Sequence, residues 1–347
     1  MSNLEIGRRS LLKGAAALTA GAAIAPISSA WAAKEAVMST WGGDYSRLLG
    51  ELVQPIATEK YDVTAIFDTG SSSARRTKVL TQAEREVSSI DLMAFTEADM
   101  WLLDQKNCVD RFSSAEIPNL ANVYKQFQTG YSIPHMYSGM VLVYNEKLVP
   151  KPTSYKDLWE KEYAGKIGFA NILYRYVLQA AAIAHGGSMT NYEPGYAPLM
   201  ELKKTDVKIL PSNEAVSNAF KSEEIGITLM WRARAYQWKK AGLPLAFTVP
   251  SEGALSYVSA AGATRNGANR EAAHDFLNSM LDPVAQKGFA ENMGYMPTVN
   301  NAPIPADLVE KIGFTEEERE KMHGPNFAYQ AEQQPKVSKW WDQEFKA

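Results

Sequence analysis

The residues in this chain that could do chemistry are aromatic rings, hydroxyls and arginines. Trp41, Tyr45, Tyr137, Tyr174, Trp231, Tyr257 and Tyr295 could wall a cavity. Their ring faces would hold an ammonium or quaternary nitrogen by cation–π contact, worth ~1–2 kcal/mol each when desolvated. For any one tyrosine the alternative is core packing with a satisfied hydroxyl. Arg232 directly follows Trp231 and offers a rigid fork of donors matched to a carboxylate. Its alternative is a solvated helix-start residue or a surface ion pair, and Arg234 and Arg175 stand behind it on the same terms. Thr69, Ser71 and Ser72 could offer hydroxyls and backbone N–H groups to an anion at a helix start, or simply cap that helix.

Catalytic, redox and metal chemistry find no comparable support. The chain has no GxGxxG after a strand, no CxxCH, no nucleophile elbow and no histidine partnered with a serine or cysteine. No cofactor is called for, and an enzyme is the disfavoured class. His135, His185, His274 and His323 lack metal-ligand spacing, and the rings of Tyr174 and Tyr176 would diverge on a helix, so no metal is expected. Cys108 is the single cysteine, which excludes an intramolecular disulfide and reads as a small buried apolar residue.

The elements that must position these side chains alternate. Residues 35–41 read as a strand, 45–58 as a helix, 61–67 as a strand, 74–85 as a serine-capped helix and 90–95 as a buried strand before a helical run to 103. The stretch 131–145 reads as two extended segments passing from one lobe to another. Beyond it, 167–170, 207–210 and 226–231 read as strands, with helices over 173–185, from Ser212 to 220, and over 233–240. Extended runs at 245–250 and 256–261 precede a helix over 270–281. Strands alternating with helices imply parallel sheets. In such sheets a ligand lies beyond the carboxyl ends of the strands, where the loops at Trp41, Thr69, Phe95, Asn171, Ser212 and Trp231 fall.

The first residues carry an address. Arg8-Arg9-Ser10-Leu11-Leu12-Lys13, an Ala/Gly-rich uncharged run and Ala30-Trp31-Ala32 form a basic, apolar and small-x-small export signal. The paired arginines resemble a twin-arginine leader, so residues 1–32 are expected to be cleaved after passage through the Tat translocase. The net charge is −3, and removing the leader leaves the chain mildly acidic, which excludes the electrostatic footprint of nucleic-acid binding or an anionic membrane surface. About 315 remaining residues exceed what one hydrophobic core usually serves, so two lobes are expected.

Several segments together resemble the type II periplasmic solute-binding proteins of ABC importers, and among them the polyamine receptors. These are Trp41 with Asp44-Tyr45, Ile133-Pro134, Ser154-Tyr155-Lys156-Asp157-Leu158-Trp159 before Tyr163-Ala164-Gly165-Lys166-Ile167, the strand from Gly226 to Trp231, and Gly294-Tyr295 with Pro297. The resemblance implies an α/β, two-lobed fold, each lobe a mainly parallel sheet flanked by helices, with the ligand cleft between lobes. Lobe 1 would comprise 33–138 plus 263–320, lobe 2 139–262, and 321–347 would form a tail or helix packed across both. It further implies a monomer in the periplasm that passes a small molecule to a permease and an ATPase.

Polyamine receptors hold cations with carboxylates, because a buried ammonium needs paired negative charge. Here Asn171-Ile172-Leu173-Tyr174-Arg175 and Tyr257-Val258-Ser259 stand where the family brings acids, and Arg232 follows the retained Trp231. The ligand is therefore expected to bear a carboxylate as well as an amine, as a GABA-like ω-amino acid, a betaine or another amino acid does. Asp44 or Glu214 would take the amine. A polyamine is the runner-up, with its charge moved to acids such as Glu97 or Glu252. The expected ligand-binding set is Trp41, Asp44, Tyr45, Thr69, Ser71, Ser72, Phe95, Tyr137, Tyr174, Ser212, Glu214, Trp231, Arg232, Tyr257 and Tyr295.

Overall fold

The computed structural model describes residues 34–347, and the export leader expected over 1–32 lies outside the described residues. Among the described residues ten strands run in the order β1 Lys34–Thr40, β2 Val63–Thr69, β3 Leu92–Thr96, β4 Ile133–Tyr144, β5 Gly168–Ala170, β6 Lys208–Leu210, β7 Ile227–Trp231, β8 Ala246–Thr248, β9 Leu255–Ala263 and β10 Met296–Pro297. Eight form one sheet in the order β10-β4-β9-β3-β1-β2, with β7 and β8 also paired to β4, while β5 and β6 pair separately.

Two groups of parallel strands are joined by long antiparallel ones. β1 pairs in parallel with β2 and β3, and β5 with β6, which a parallel bridge between Ile167 and Ile227 links to the start of β7. The expected parallel character thus holds within each group. The long strands β4 and β9 run antiparallel to each other, β9 against β3, and β4 against β7 and β8. The stretch read as two extended segments is one strand, buried at every position from Ile133 to Tyr144. Its register shifts between Pro134 and Met136, where a proline has no N–H to donate to the ladder. Gly139 sits midway along it, and a Cβ there would lie 2.9 Å from the Phe314 ring and 3.0 Å from Ala254, so only glycine lets that ring cross the strand.

Local signals form most of the helices. The Ser71 hydroxyl accepts from the Ala74 N–H to cap Ser72–Gln82, and Ser212 accepts from Ala215 to cap Asn213–Lys221. The run after Gly43 is helical from Asp44 to Tyr61 with a π-helical turn at Leu49–Val53. Glu193–Lys203, Pro283–Met293 and Ala306–Ile312 are helices absent from the sequence reading, and within the stretch 321–347, read as a tail or helix, Phe327–Trp340 is helical. The first and last contain Pro198 and Pro335, which locally argue against a helix. Packing outweighs that cost, with Tyr196 edge-on to Trp340 at 4.7 Å and Tyr192 edge-on to Tyr329 at 4.9 Å. Pro283 occupies the first turn, where a missing N–H costs nothing. Among the described residues no helix is long and apolar enough to cross a membrane.

Candidate ligand-binding cleft

The register of β1 and β2 pairs Thr40 with Thr69, so both strands end together and set Trp41 beside the Gly70-Ser71-Ser72 loop. The Trp41 indole N–H donates to the Ser72 hydroxyl at 3.0 Å, and its ring stands edge-on to Tyr45 at 5.0 Å. The Tyr45 hydroxyl shares a 2.8 Å hydrogen bond with His135 Nδ1. Burial drives the His135 pKa down to about 3 and the Tyr45 pKa far above its usual value, so both are neutral. Beneath them Arg75 reaches across the strand ends. Its Nε donates to Gly70 O, and Nη1 to Ala94 O and Ser39 O at 2.7 and 3.3 Å. Its guanidinium lies 5.0 Å from the Trp41 ring and 4.4 Å from that of Phe95. Desolvation lowers its pKa to about 10, which still leaves it cationic at neutral pH.

A second aromatic cluster is built at the end of β7. Trp231 lies 5.3 Å from Tyr257 and 6.4 Å from Tyr176, and Tyr257 lies 5.9 Å from Tyr295. Tyr176, Trp231 and Tyr257 each keep some accessible surface. Surrounding protein nonetheless raises the phenol pKa of both tyrosines by desolvation. Arg234, in the first turn of the helix Arg232–Lys240, opposes the upward shifts of Tyr257 and Tyr295, so its charge faces this cluster. Its Nη1 donates to Gln237 at 2.8 Å, while its Nε and the indole N–H of Trp231 are buried with no acceptor among the described residues. Arg175 lies over Tyr176 at 5.9 Å and donates to Gln334 at 3.2 Å.

One acid joins these cations. Glu97 follows β3, finds no hydrogen-bond partner among the described residues, and has its pKa raised to about 7 by desolvation. Its charge also raises the phenol of Tyr176, which ties it to the aromatic cluster. The charges that act on the cluster are thus those of Arg175, Arg234 and Glu97. All three stand outside the main expected set: Arg175 and Arg234 are the weaker arginine candidates and Glu97 an acid of the runner-up ligand. Their common signal is position, just after a strand or in a helix's first turns, which many other residues share.

Of the expected set, Trp41, Tyr45, Trp231, Tyr257 and Tyr295 gather in two neighbouring clusters, with Ser72 bonded to Trp41. The others are occupied elsewhere. Arg232 is corrected: it is 6 % exposed, donates through Nη2 to Glu310 O at 2.7 Å, and is sandwiched at 4.3 and 5.0 Å by Phe247 and Phe314. It satisfies the carbonyls of the helix Ala306–Ile312 and has no face left for a ligand. Phe95 is wholly buried behind Arg75. Tyr174 accepts from Gln334 and packs 6.1 Å from Trp341, on the C-terminal helix. Asp44 is exposed and paired with Arg47, so it does not reach the cleft. Glu214 is exposed, with its pKa lowered by its own backbone N–H and by Ser212. Ser71 and Ser212 serve as caps, and Thr69 is exposed at the end of β2. Tyr137 is buried against Phe127 at 4.9 Å and lines a separate groove. Glu252, an alternative acid, accepts from the Ser154 hydroxyl and the Tyr155 N–H.

Comparison with known proteins agrees with this architecture. The bacterial extracellular solute-binding protein family matches residues 51–315. The spermidine/putrescine-binding periplasmic protein of Escherichia coli K12 is 29% identical over 202 residues, which cover 57% of this chain and 57% of that protein. The chain thus spans little over half the length of the curated relatives it matches. The spermidine/putrescine ABC transporter substrate-binding protein of Streptococcus pneumoniae superposes with a TM-score of 0.77 at 21% identity, covering 90% of this chain and 98% of that one. The Atu4243-GABA receptor gives the same TM-score at 16% identity and the same coverage. At these identities the likeness is one of fold: the two-lobed α/β architecture of ABC-transporter substrate-binding proteins. With a family match over most of its length, the chain belongs to the bacterial extracellular solute-binding proteins.

Proposed function

We propose that this protein is the periplasmic substrate-binding protein of an ABC importer, capturing a small amino compound that also bears a carboxylate and delivering it to a permease and its ATPase. A GABA-like ω-amino acid or a betaine fits this description. The observation that carries the reading is the aromatic cluster itself, where Trp231, Tyr176 and Tyr257 gather with Arg175 over Tyr176 and the Nε of Arg234 is buried without an acceptor among the described residues, in the electrostatic reach of one acid, Glu97. A ligand carboxylate would meet the arginines and its nitrogen would meet Glu97 and the rings of Trp231, Tyr176 and Tyr257. A dicationic ligand would set a second positive charge against two arginines. In this reading 33–138 with 263–320 and 139–262 are lobes that close over the solute, with β4 and β9 as the hinge strands and 321–347 packed across them. The protein would act as a monomer without catalysis or cofactor.

A polyamine is the second reading, favoured by the polyamine-binding relatives and by the unpartnered Glu97. Thermal unfolding with 4-aminobutanoate, glycine betaine, putrescine and spermidine separates the two. A ligand at a hundred times its Kd adds about 2.7 kcal/mol to apparent stability. Stabilisation by 4-aminobutanoate or betaine is the expected result. Stabilisation by the polyamines alone would replace the carboxylate reading.

A further inference from the structure

We propose that Gln334, on the C-terminal helix Phe327–Trp340, is a positioning residue for the ligand carboxylate, holding the Arg175 guanidinium over Tyr176 without neutralising its charge. This rests on the reading of the protein as a receptor for a carboxylate-bearing solute. The Gln334 amide works in both directions: its oxygen accepts from Arg175 Nη1 at 3.2 Å while its nitrogen donates to the Tyr174 hydroxyl. The opposite amide orientation would set its N–H groups against those of the guanidinium, so the contact with Arg175 fixes it.

The same helix ties down the same loop a second time. Seven residues on, Trp341 donates its indole N–H to Asn171 Oδ1 at 2.9 Å. Seven residues are close to two helical turns, so Gln334 and Trp341 share the face turned to residues 171–175. That loop follows β5 and opens the helix Tyr174–Ala184, whose start has no side-chain cap. The C-terminal helix therefore supplies the hold that a local cap does not. Arg175 lies 5.9 Å from the Tyr176 ring, which stands 6.4 Å from Trp231, so the contacts run without a break from Gln334 to the aromatic cluster.

The amide is the informative feature. Arg175 is half-buried and has no carboxylate partner among the described residues. A long side chain binds an anion well only if its rotamer freedom is already spent, and the hydrogen bond to Gln334 spends it. A glutamate at 334 would hold the guanidinium too, but it would satisfy the charge and compete with the ligand's carboxylate for the same fork of donors. A neutral acceptor orients Arg175 and leaves its charge for the solute.

The test is calorimetric titration of 4-aminobutanoate and of glycine betaine into the full mature protein and its Gln334→Glu and Gln334→Met variants, with thermal unfolding of each ligand-free protein. Gln334→Glu keeps the acceptor and adds an ion pair. Its unfolding midpoint should hold or rise while affinity for the carboxylate ligand falls about tenfold, the scale of one charge-assisted hydrogen bond. A role confined to folding would move stability and affinity in the same direction. Gln334→Met frees Arg175 without changing the charge and should weaken binding by about threefold or more. Unchanged affinity in either folded variant would overturn the positioning role while sparing the receptor reading, as would a loss of affinity in Gln334→Glu that comes with a lowered midpoint. Failure of the unaltered protein to bind either compound would overturn the carboxylate reading and the positioning role with it.

Discussion

The Nη2 of Arg232 donates to the carbonyl of Glu310 at 2.7 Å, so the arginine that follows Trp231 closes a helix end. Its neighbour two residues on, Arg234, faces the aromatic cluster with Nε unpaired. Replacing Arg232 by Ala is therefore expected to lower unfolding free energy by about 2 kcal/mol, the scale of charge-assisted hydrogen bonds lost from a buried site. Urea denaturation reads the loss. Ligand affinity of the folded variant should stay within about twofold, since a twofold change is under 1 kcal/mol. A large affinity loss at unchanged stability would return Arg232 to the ligand.

Arg234→Gln should behave in the opposite way. Removing a charged partner from a desolvated carboxylate costs about 2 kcal/mol or more, which is about thirtyfold in Kd. The affinity for 4-aminobutanoate, measured by calorimetry, is expected to fall by that factor while the unfolding midpoint of the ligand-free protein moves little. Among the described residues Arg234 makes one side-chain hydrogen bond, to Gln237, so little folding energy rests on it. Unchanged affinity would remove Arg234 from the site.

Glu97 makes the protein sensitive to pH near neutrality. Its folded pKa of about 7 lies above the ordinary carboxylate range because burial disfavours the charged form. The stability tied to its protonated state is fully present below the unfolded carboxylate pKa, and it is lost as pH rises towards 7. Glu97→Gln should flatten that part of the stability profile. Binding of an ammonium requires the carboxylate, so affinity should rise with pH through about 7 and level above it, with proton release on binding. Calorimetry in buffers of different ionisation enthalpy counts that proton, and no buffer dependence would exclude Glu97 as the ammonium partner.

His135 acts in the acid direction. Its folded pKa of about 3 lies below the ordinary imidazole value, so its contribution is present above that value and is lost as pH falls from about 6.5 towards 3. Acid unfolding monitored by tryptophan fluorescence should start at lower pH in His135→Gln, once the variant's own stability at pH 7 is taken as reference. The Tyr45 hydroxyl, bonded to His135 Nδ1, would then meet an amide that does not titrate. An unshifted acid limb would show that other groups set it.

Much of the architecture was legible locally. Serine caps, β-branched strands and the alternation of strand with helix are short-range signals, and they led to β1–β3, β5–β7 and the helices capped by Ser71 and Ser212. Trp41 and Trp231 could be placed at strand ends for the same reason. The helix holding Pro198 could not, because aromatic contacts with distant residues outweigh the local penalty. The Tyr45–His135 bond joins residues 90 apart in the chain, so whether Tyr45 meets a ligand or a core partner is decided only by packing.

The sequence by itself determined that strands end in Trp41 and Trp231 and that acids are scarce where a polyamine receptor would place them. Only the tertiary structure decided which charges lie near the aromatic cluster. Residues 232 and 234 open the same helix, and two steps at about 100° each turn them to opposite sides. One then meets the carbonyls of Glu310 and Lys311, and the charge of the other acts on Tyr257 and Tyr295. That choice depends on where the helix Ala306–Ile312 packs, a long-range contact on which local residue patterns are silent.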